Sequence, residues 1–121
     1  MLVVADSSPI NILIRIECTH VLPSLFGTVV IPPEVRQELT DARTPTAVRA
    51  WMTNLPSWLS VRPALSVESI TPLNLGEQAA ISLAREIHAE ALLIDDLDGR
   101  RAASQRGLLV IGTLGVLERA A

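Results

Sequence analysis

Two short, wholly apolar segments in this chain end abruptly in acidic residues. The first covers 2–5 and is followed by Asp6, and the second covers 92–94 and is followed by Asp95 and Asp96. A continuous apolar run of this length is typical of a strand in a parallel sheet whose two faces are covered by helices. In such sheets, ligands bind just beyond the carboxyl ends of the strands. The sequence therefore predicts an α/β fold with an acidic site at that edge of its sheet.

Strand-like and helix-like segments alternate along the rest of the chain. Helices are indicated by apolar residues that recur every three or four positions, and strands by short apolar runs. This alternation predicts a three-layer α/β/α sandwich with a mostly parallel central sheet, built as a single domain from residues 1–121. Strands are predicted at 1–5, 28–31, 58–61, 92–94 and 108–111, and helices at 9–17, 20–26, 33–39, 47–55, 74–87, 99–106 and 116–121.

The composition excludes several classes of site. The only aromatic residues are Phe26, Trp51 and Trp58, which argues against nucleic-acid modules that stack bases on aromatic side chains. All ten basic residues are arginines, so there is no lysine for a Walker-type phosphate loop. The single cysteine, Cys18, excludes an internal disulfide and a cysteine-based zinc cluster. A net charge of −3 gives no overall basic field, although a bound metal ion would supply positive charge locally.

The sequence shows no signal for secretion or membrane insertion. No basic segment precedes the first predicted strand, and no apolar run reaches the length of a membrane span. We therefore expect a cytoplasmic protein that makes no contact with a membrane.

Two further acids are expected at the carboxyl edge of the sheet. Glu38 lies on the helix after the second strand, and Glu77 lies in the first turn of the helix after the third. Each acid also has a simpler explanation, because Asp6 would suit a helix cap and Glu77 would complement a helix dipole. Glu38 would likewise suit a solvated helix face, and segment 95–99 a solvated turn. Since all four groups are predicted at one edge, a shared function explains them better than four separate causes.

A divalent metal ion would account for acids that cluster without basic partners. Carboxylates that face one another raise each other's pKa, and Mg²⁺ or Mn²⁺ relieves the repulsion because hard cations prefer oxygen ligands. One or two such ions activate a water molecule and stabilise in-line attack on a phosphodiester. Nearby hydroxyl groups are expected to orient the water, and guanidinium groups to hold flanking phosphates. The residues predicted to contact substrate are Ser7, Ser8, Arg100, Arg101 and Thr113, the last also as the cap of the final helix.

Five longer segments, which together cover nearly the whole chain, form a specific set. They are VVADSSPI at 3–10, VVIPPEVRQEL at 29–39, LNLGEQAAISLA at 73–84, LLIDDLDGRRAA at 92–103 and GLLVIGTLGVL at 107–117. As a set they resemble the PIN domain family, a small metal-dependent ribonuclease fold that includes the VapC toxins of bacterial toxin–antitoxin pairs. The resemblance is to a branch in which a Gly-Glu pair and an Ile-Asp-Asp-x-x-Gly-Arg stretch replace the commoner forms.

The resemblance implies specific roles for the acids. Asp6 matches the family's first metal-binding aspartate, and Glu38 matches the glutamate on the helix after the second strand. Glu77 stands where most relatives have an aspartate, a departure of one methylene group. Asp96, or else its neighbour Asp95, matches the acid after the fourth strand. The implied catalytic residues are Asp6, Glu38, Glu77 and Asp96, and the implied metal ligands are these four with Asp95 and Asp98.

The resemblance also implies an activity and partners. We expect a Mg²⁺- or Mn²⁺-dependent endoribonuclease that hydrolyses RNA, acts as the toxin of a toxin–antitoxin pair, binds an antitoxin-like protein and forms a homodimer. The chain stops at Ala121, whereas relatives in this branch generally continue past the final helix, so a C-terminal element is expected to be missing. The alternative is a PIN-like protein-binding module with weak or lost catalysis. A phosphotransfer enzyme is disfavoured because the chain has no lysine to bind the phosphoryl group.

Overall fold

Five parallel strands form one central sheet in the computed structural model, which describes residues 1–121. The strands are β1 (Leu2–Ala5), β2 (Thr28–Ile31), β3 (Leu59–Val61), β4 (Ala91–Leu93) and β5 (Val110–Ile111). Their order across the sheet is β3-β2-β1-β4-β5, so the strand order reverses between β1 and β4. In the register of the sheet, Val3 lies opposite Val29 on one side and Ala91 on the other. The prediction of a mostly parallel sheet is confirmed.

Seven helices cover the two faces of the sheet. They are α1 (Ser7–Arg15), α2 (Val21–Leu25), α3 (Pro33–Leu39), α4 (Thr46–Trp51), α5 (Leu75–Glu86), α6 (Leu97–Gln105) and α7 (Thr113–Ala120). Because crossovers between parallel strands are right-handed, the connections before and after β3 lie on opposite faces of the sheet, and α3 contacts both α1 and α5. Accordingly α5 packs against β1 and β4, while α7 returns to the face that α1 and α2 cover and contacts both of these helices. The fold has the predicted α/β/α layers.

The core lies on both faces of the sheet around the central strand β1 and its neighbour β4. Val3, Val4 and Ala5 of β1 are fully buried, and so are Leu92 and Leu93 of β4. A strand that is covered on both faces needs apolar residues throughout, which explains why these segments do not alternate between apolar and polar residues. The helices add further fully buried side chains, among them Ile10, Leu13, Leu22, Leu39, Ile81 and Leu83.

Four helices, α1, α4, α6 and α7, begin earlier than the sequence pattern predicts. Helix α6 begins two residues early because the Asp96 carboxylate caps it, accepting a hydrogen bond from the Gly99 amide at 3.0 Å. Helix α7 begins three residues early, at Thr113, and Gly112 occupies its cap position. The prediction that Thr113 caps this helix is therefore wrong, because its hydroxyl group donates to Asp95 instead.

Other predicted elements are shorter in the structure. The helix predicted at 47–55 ends at Trp51, and residues 52–54 form a turn. The last strand, predicted at 108–111, pairs only through Val110–Ile111 at the edge of the sheet. None of the seven helices combines the length and the hydropathy that crossing a lipid bilayer requires.

We predict that Leu92→Ala destabilises the fold strongly. Leu92 is 0% exposed in β4, so truncation removes buried methyl groups and leaves a cavity. The free energy of unfolding is expected to fall by about 2–5 kcal/mol. The measurement is urea denaturation followed by circular dichroism, with Leu109→Ala as the control because Leu109 is 59% exposed. Equal losses in the two variants would contradict the central position of β4.

Candidate active site

Acidic residues meet at the edge of the sheet where the carboxyl ends of the strands lie. Asp6 directly follows β1, and Asp95 and Asp96 follow β4, the neighbour at which the strand order reverses. Ligands of open α/β sheets bind in the crevice at this position. Glu38 reaches the same place from α3, and Glu77 from the first turn of α5. These five residues are called the acidic cluster below.

Asp6 is the most deeply buried member of the acidic cluster. It is 3% exposed, and its Oδ1 atom is buried without a hydrogen-bond partner. Burial raises the pKa of Asp6 from 3.8 to about 7, an effect that the Ser7 amide partly opposes. The negative charges of Glu38, Glu77 and Asp95 contribute to the same rise. Although Asp6 precedes α1, its side chain makes no cap hydrogen bond to that helix, so capping does not explain this residue.

Glu38 is held in place by a hydroxyl group and accommodated by a glycine. The Ser7 hydroxyl donates a hydrogen bond to Glu38 Oε2 at 2.7 Å. The Glu38 carboxylate also lies directly against Gly76, where a Cβ atom would overlap one of its oxygens. An alanine at this position would therefore force the Glu38 carboxylate to move. Ser7 lies at the site, as predicted, and in this structure it binds Glu38.

Glu77 combines a capping role with membership of the acidic cluster. It forms a capping box with Asn74: the Glu77 amide donates to Asn74 Oδ1 at 2.8 Å, and the Asn74 amide donates to Glu77 Oε1 at 3.0 Å. The other oxygen, Oε2, lies close to Gly99, where a Cβ atom would be 3.4 Å away. Burial raises the pKa of Glu77, and the charges of Asp96 and Glu38 add to that rise. The long side chain thus serves the helix with one oxygen and the cluster with the other.

Asp95 and Asp96 are adjacent in sequence but differ in how their carboxylates are used. Both oxygens of Asp95 accept hydrogen bonds from Thr113, one from its amide at 2.7 Å and one from its hydroxyl at 2.6 Å. Asp96 is exposed and uses only Oδ2, which accepts the Gly99 amide at 3.0 Å. Asp95 therefore ties the end of β4 to the start of α7, and Asp96 keeps one oxygen without a partner.

Three of the predicted site residues lie away from the acidic cluster: Asp98, Arg101 and Ser8. Asp98 forms an ion pair with Arg101 at 3.9 Å, and the two line a separate cleft of about 370 Å³ with segment 69–73. Ser8 is exposed and makes no side-chain hydrogen bond. Arg100 differs from Arg101, because it is half-buried and its Nη1 donates to the carbonyl of Ile94 at 3.3 Å.

Asn11 is a polar residue at the site that the sequence reasoning missed. Its Oδ1 atom is buried without a hydrogen-bond partner, and it lines a cavity of about 330 Å³ with Glu38 and Arg43. Asn11 follows Ser7 by four residues on α1, which places both on the same face of the helix. This four-residue spacing is visible in the sequence and indicates that Asn11 lies near Ser7 at the site.

The acidic cluster has oxygen donors for a metal ion but no compact set of ligands. No three acidic, histidine or cysteine side chains stand close enough together to surround one ion. The cluster has no basic partner either, because all four ion pairs of the protein involve other acids. Its negative charge is therefore balanced only by hydrogen bonds from neutral donors.

Comparisons with known proteins bear on the family and on the fold. The profile of a family described as a PIN domain (DUF3368) matches residues 2–121. Among solved structures, a PilT N-terminus domain protein from the hyperthermophilic archaeon Sulfolobus solfataricus P2 has a TM-score of 0.71 at 18% sequence identity. That match covers 98% of this chain and 92% of the archaeal one, and at such identity it shows the fold alone. No curated protein matches the chain in sequence.

We predict that Gly76→Ala destabilises the protein through Glu38. Within a helix, alanine is favoured over glycine by about 0.5–1 kcal/mol. Here, however, its Cβ would displace the Glu38 carboxylate from its hydrogen bond with Ser7, and a hydrogen bond to a charged group contributes about 1.5–3 kcal/mol. In a Glu38→Ala background the overlap is absent, so the same substitution is expected to stabilise. Denaturant unfolding of the four proteins measures the coupling, and equal effects in both backgrounds would contradict the contact.

We also predict that Asp6 lowers the stability of the metal-free protein relative to Asp6→Asn as the pH rises from about 4 to about 7, because this carboxyl group ionises more readily in the unfolded chain. Its contribution is fully present below the unfolded pKa of 3.8 and is lost as the pH rises through the folded value of about 7. The slope is at most about 1.4 kcal/mol per pH unit for one group. Urea unfolding in EDTA measures it, with Asp6→Asn as the comparison. Parallel pH profiles for the two proteins would contradict this role of Asp6.

Proposed function

The chain belongs to the PIN domain family, which generally includes metal-dependent nucleases, and on this basis we propose that it is a Mg²⁺- or Mn²⁺-dependent endoribonuclease. Its proposed reaction is the hydrolysis of a phosphodiester bond in RNA. The proposed catalytic residues are the four members of the acidic cluster that keep a carboxylate oxygen without a hydrogen-bond partner: Asp6, Glu38, Glu77 and Asp96.

The single observation that carries this proposal is the burial of Asp6 among other carboxylates. A buried carboxylate is unfavourable unless a cation, a proton or hydrogen bonds compensate its charge. Asp6 has an unpartnered oxygen, and the surrounding charges of Glu38, Glu77 and Asp95 oppose its ionisation. Strongly perturbed acids in a crevice cluster at functional sites, and this crevice lies where α/β sheets bind their ligands.

A hard divalent cation suits the donors of the acidic cluster. Mg²⁺ typically binds through one or two carboxylates and keeps several waters, so Asp6 with one neighbour among Glu38, Glu77 and Asp96 would hold the ion, and a set of three close acids is not needed. Asp95 is the less suitable neighbour, because Thr113 already occupies both of its oxygens. When bound, the ion would activate a water molecule and stabilise the negative charge that develops at the phosphate.

The chain's own residues orient the proposed ligands through neutral donors. The Ser7 hydroxyl binds Glu38, the Asn74 amide binds Glu77, and the Gly99 amide binds Asp96. Outer groups of this kind fix the direction of a ligand and tune the metal that it binds. Because none of these donors carries a positive charge, each carboxylate keeps its negative charge for a cation.

A protein-binding role is the second candidate, and an apolar rim favours it. Leu75, Leu97 and Leu114 are largely exposed, and each lies in the first turn of a helix next to a residue of the site. Exposed leucines around a polar cleft are typical of a surface that meets another protein. We propose that an antitoxin-like protein binds there in a toxin–antitoxin pair. The homodimer stays a prediction, and a module without catalysis stays the alternative.

We predict that cleavage of a structured RNA requires both the metal ion and Asp6. The wild-type protein is expected to cleave with Mn²⁺ and to stop when EDTA is added. Asp6→Asn is expected to lose more than about 100-fold in rate, because a catalytic metal supplies several kcal/mol of transition-state stabilisation. Glu34→Gln is the control, since Glu34 lies one turn before Glu38 on α3 and outside the acidic cluster.

Thermal unfolding separates metal binding from cleavage. Mn²⁺ is expected to raise the Tm of the wild-type protein but not that of Asp6→Asn, because only a folded site binds the ion. Binding without cleavage would favour the protein-binding candidate. If Mn²⁺ neither binds nor supports cleavage, the nuclease proposal is wrong.

A further inference from the structure

A cavity of about 390 Å³ lies beside the acidic cluster, between β5, α6 and α7. Arg100 and Arg119 both line it, and so does Asp95, a member of the cluster. The cavity therefore adjoins the place where hydrolysis is proposed. We propose that it is the subsite for a phosphate group of the RNA strand next to the bond that is cleaved, with Arg100 and Arg119 as its ligands. This inference rests on the proposed nuclease function.

A glycine leaves room for one of the guanidinium groups at this cavity. A Cβ atom on Gly112 would lie 2.5 Å from Arg100 Nη1 and 3.0 Å from Asp95 Oδ1. Gly112 thus lets the start of α7 lie close to Arg100. Arg119 folds back along its own helix, where its Nη1 donates to the Gly115 carbonyl at 3.3 Å.

Both arginines are free to bind an anion. Neither Arg100 nor Arg119 forms an ion pair with any acid of the protein, and each is anchored by one hydrogen bond to a backbone carbonyl. Asp95 forms no ion pair with either arginine, and both of its oxygens accept hydrogen bonds from Thr113. The remaining charged group is Glu118, an exposed acid that also lines the cavity.

A phosphodiester is the anion that suits this cavity best. The guanidinium fork matches the oxygens of a phosphate, and arginines that start without an ionic partner release none when the phosphate binds. The position also fits a polymer, because one strand lying across the carboxyl edge of the sheet would pass from the acidic cluster at β1 and β4 to the arginines beside β5. Arg101 does not line this cavity, and it pairs with Asp98 instead.

The test measures binding of a short fluorescent single-stranded RNA by anisotropy, in Mg²⁺, with every variant built in an Asp6→Asn background that prevents cleavage. Arg119→Gln and Arg100→Gln are each expected to weaken binding by about fivefold to tenfold and to lower the salt dependence by about 0.7 in log–log slope. Glu118→Gln is expected to strengthen binding, because it removes a negative charge that lines the cavity. Arg15→Gln, an exposed arginine at the end of α1, is the matched control and is expected to change nothing.

The outcomes distinguish this inference from the proposed function. Arg119 is exposed, so its substitution tests the subsite without risk to the fold. If Arg119→Gln binds as the background does, or if Arg15→Gln loses as much, the subsite is wrong even when the wild-type protein cleaves RNA. If the predicted pattern of binding is found but the wild-type protein does not cleave with Mn²⁺, the nuclease function fails and the phosphate subsite stands. Absence of any RNA binding at low salt overturns the subsite.

Discussion

The buried carboxylate of Asp6 is the constraint on which the rest of the site depends. Its position is set by the backbone, because Asp6 directly follows the central strand β1 and its amide donates to the Leu93 carbonyl at 2.9 Å. The side chain therefore starts inside the crevice at the switch point of the sheet. The surrounding acids bind hydroxyl and amide donors, and no arginine pairs with them. The cluster thus retains a negative charge that only an external cation or protons can neutralise.

Glycines at three helix starts allow these side chains to approach one another. Gly76 lies under the Glu38 carboxylate, Gly99 lies beside Glu77, and Gly112 lies beside Asp95. A Cβ atom would overlap the Glu38 carboxylate at Gly76, Ile94 Cδ1 at Gly99 and Arg100 Nη1 at Gly112. Close packing therefore explains these three glycines. None of them has the positive φ that favours glycine.

The sequence locates the edge of the sheet but not the direction of every side chain. Apolar strands that end in acids predict the shared edge, since parallel strands have their carboxyl ends on one side. Helical phase then separates residues that the linear sequence groups together: Arg100 follows Asp96 by four residues and stays near the cluster, whereas Asp98 pairs with Arg101 on another face. These helical positions follow from the sequence once the start of α6 is placed at Leu97. The hydrogen bond between Thr113 and Asp95 does not follow from the sequence, because tertiary packing brings together two residues that are 18 positions apart.

The separation of charge along this edge has a consequence for substrate binding. A protein of net charge −3 must bring an anionic polymer to an acidic crevice, so RNA is repelled at the point where it would be cleaved. The unpaired arginines lie one strand away, beside β5, where they attract the same polymer. The two arginines therefore bind the strand beside β5, whereas the carboxylates repel the phosphate that lies at the acidic cluster. A cation at Asp6 would reduce that repulsion, so it would help to position the bond to be cleaved before it activates the attacking water.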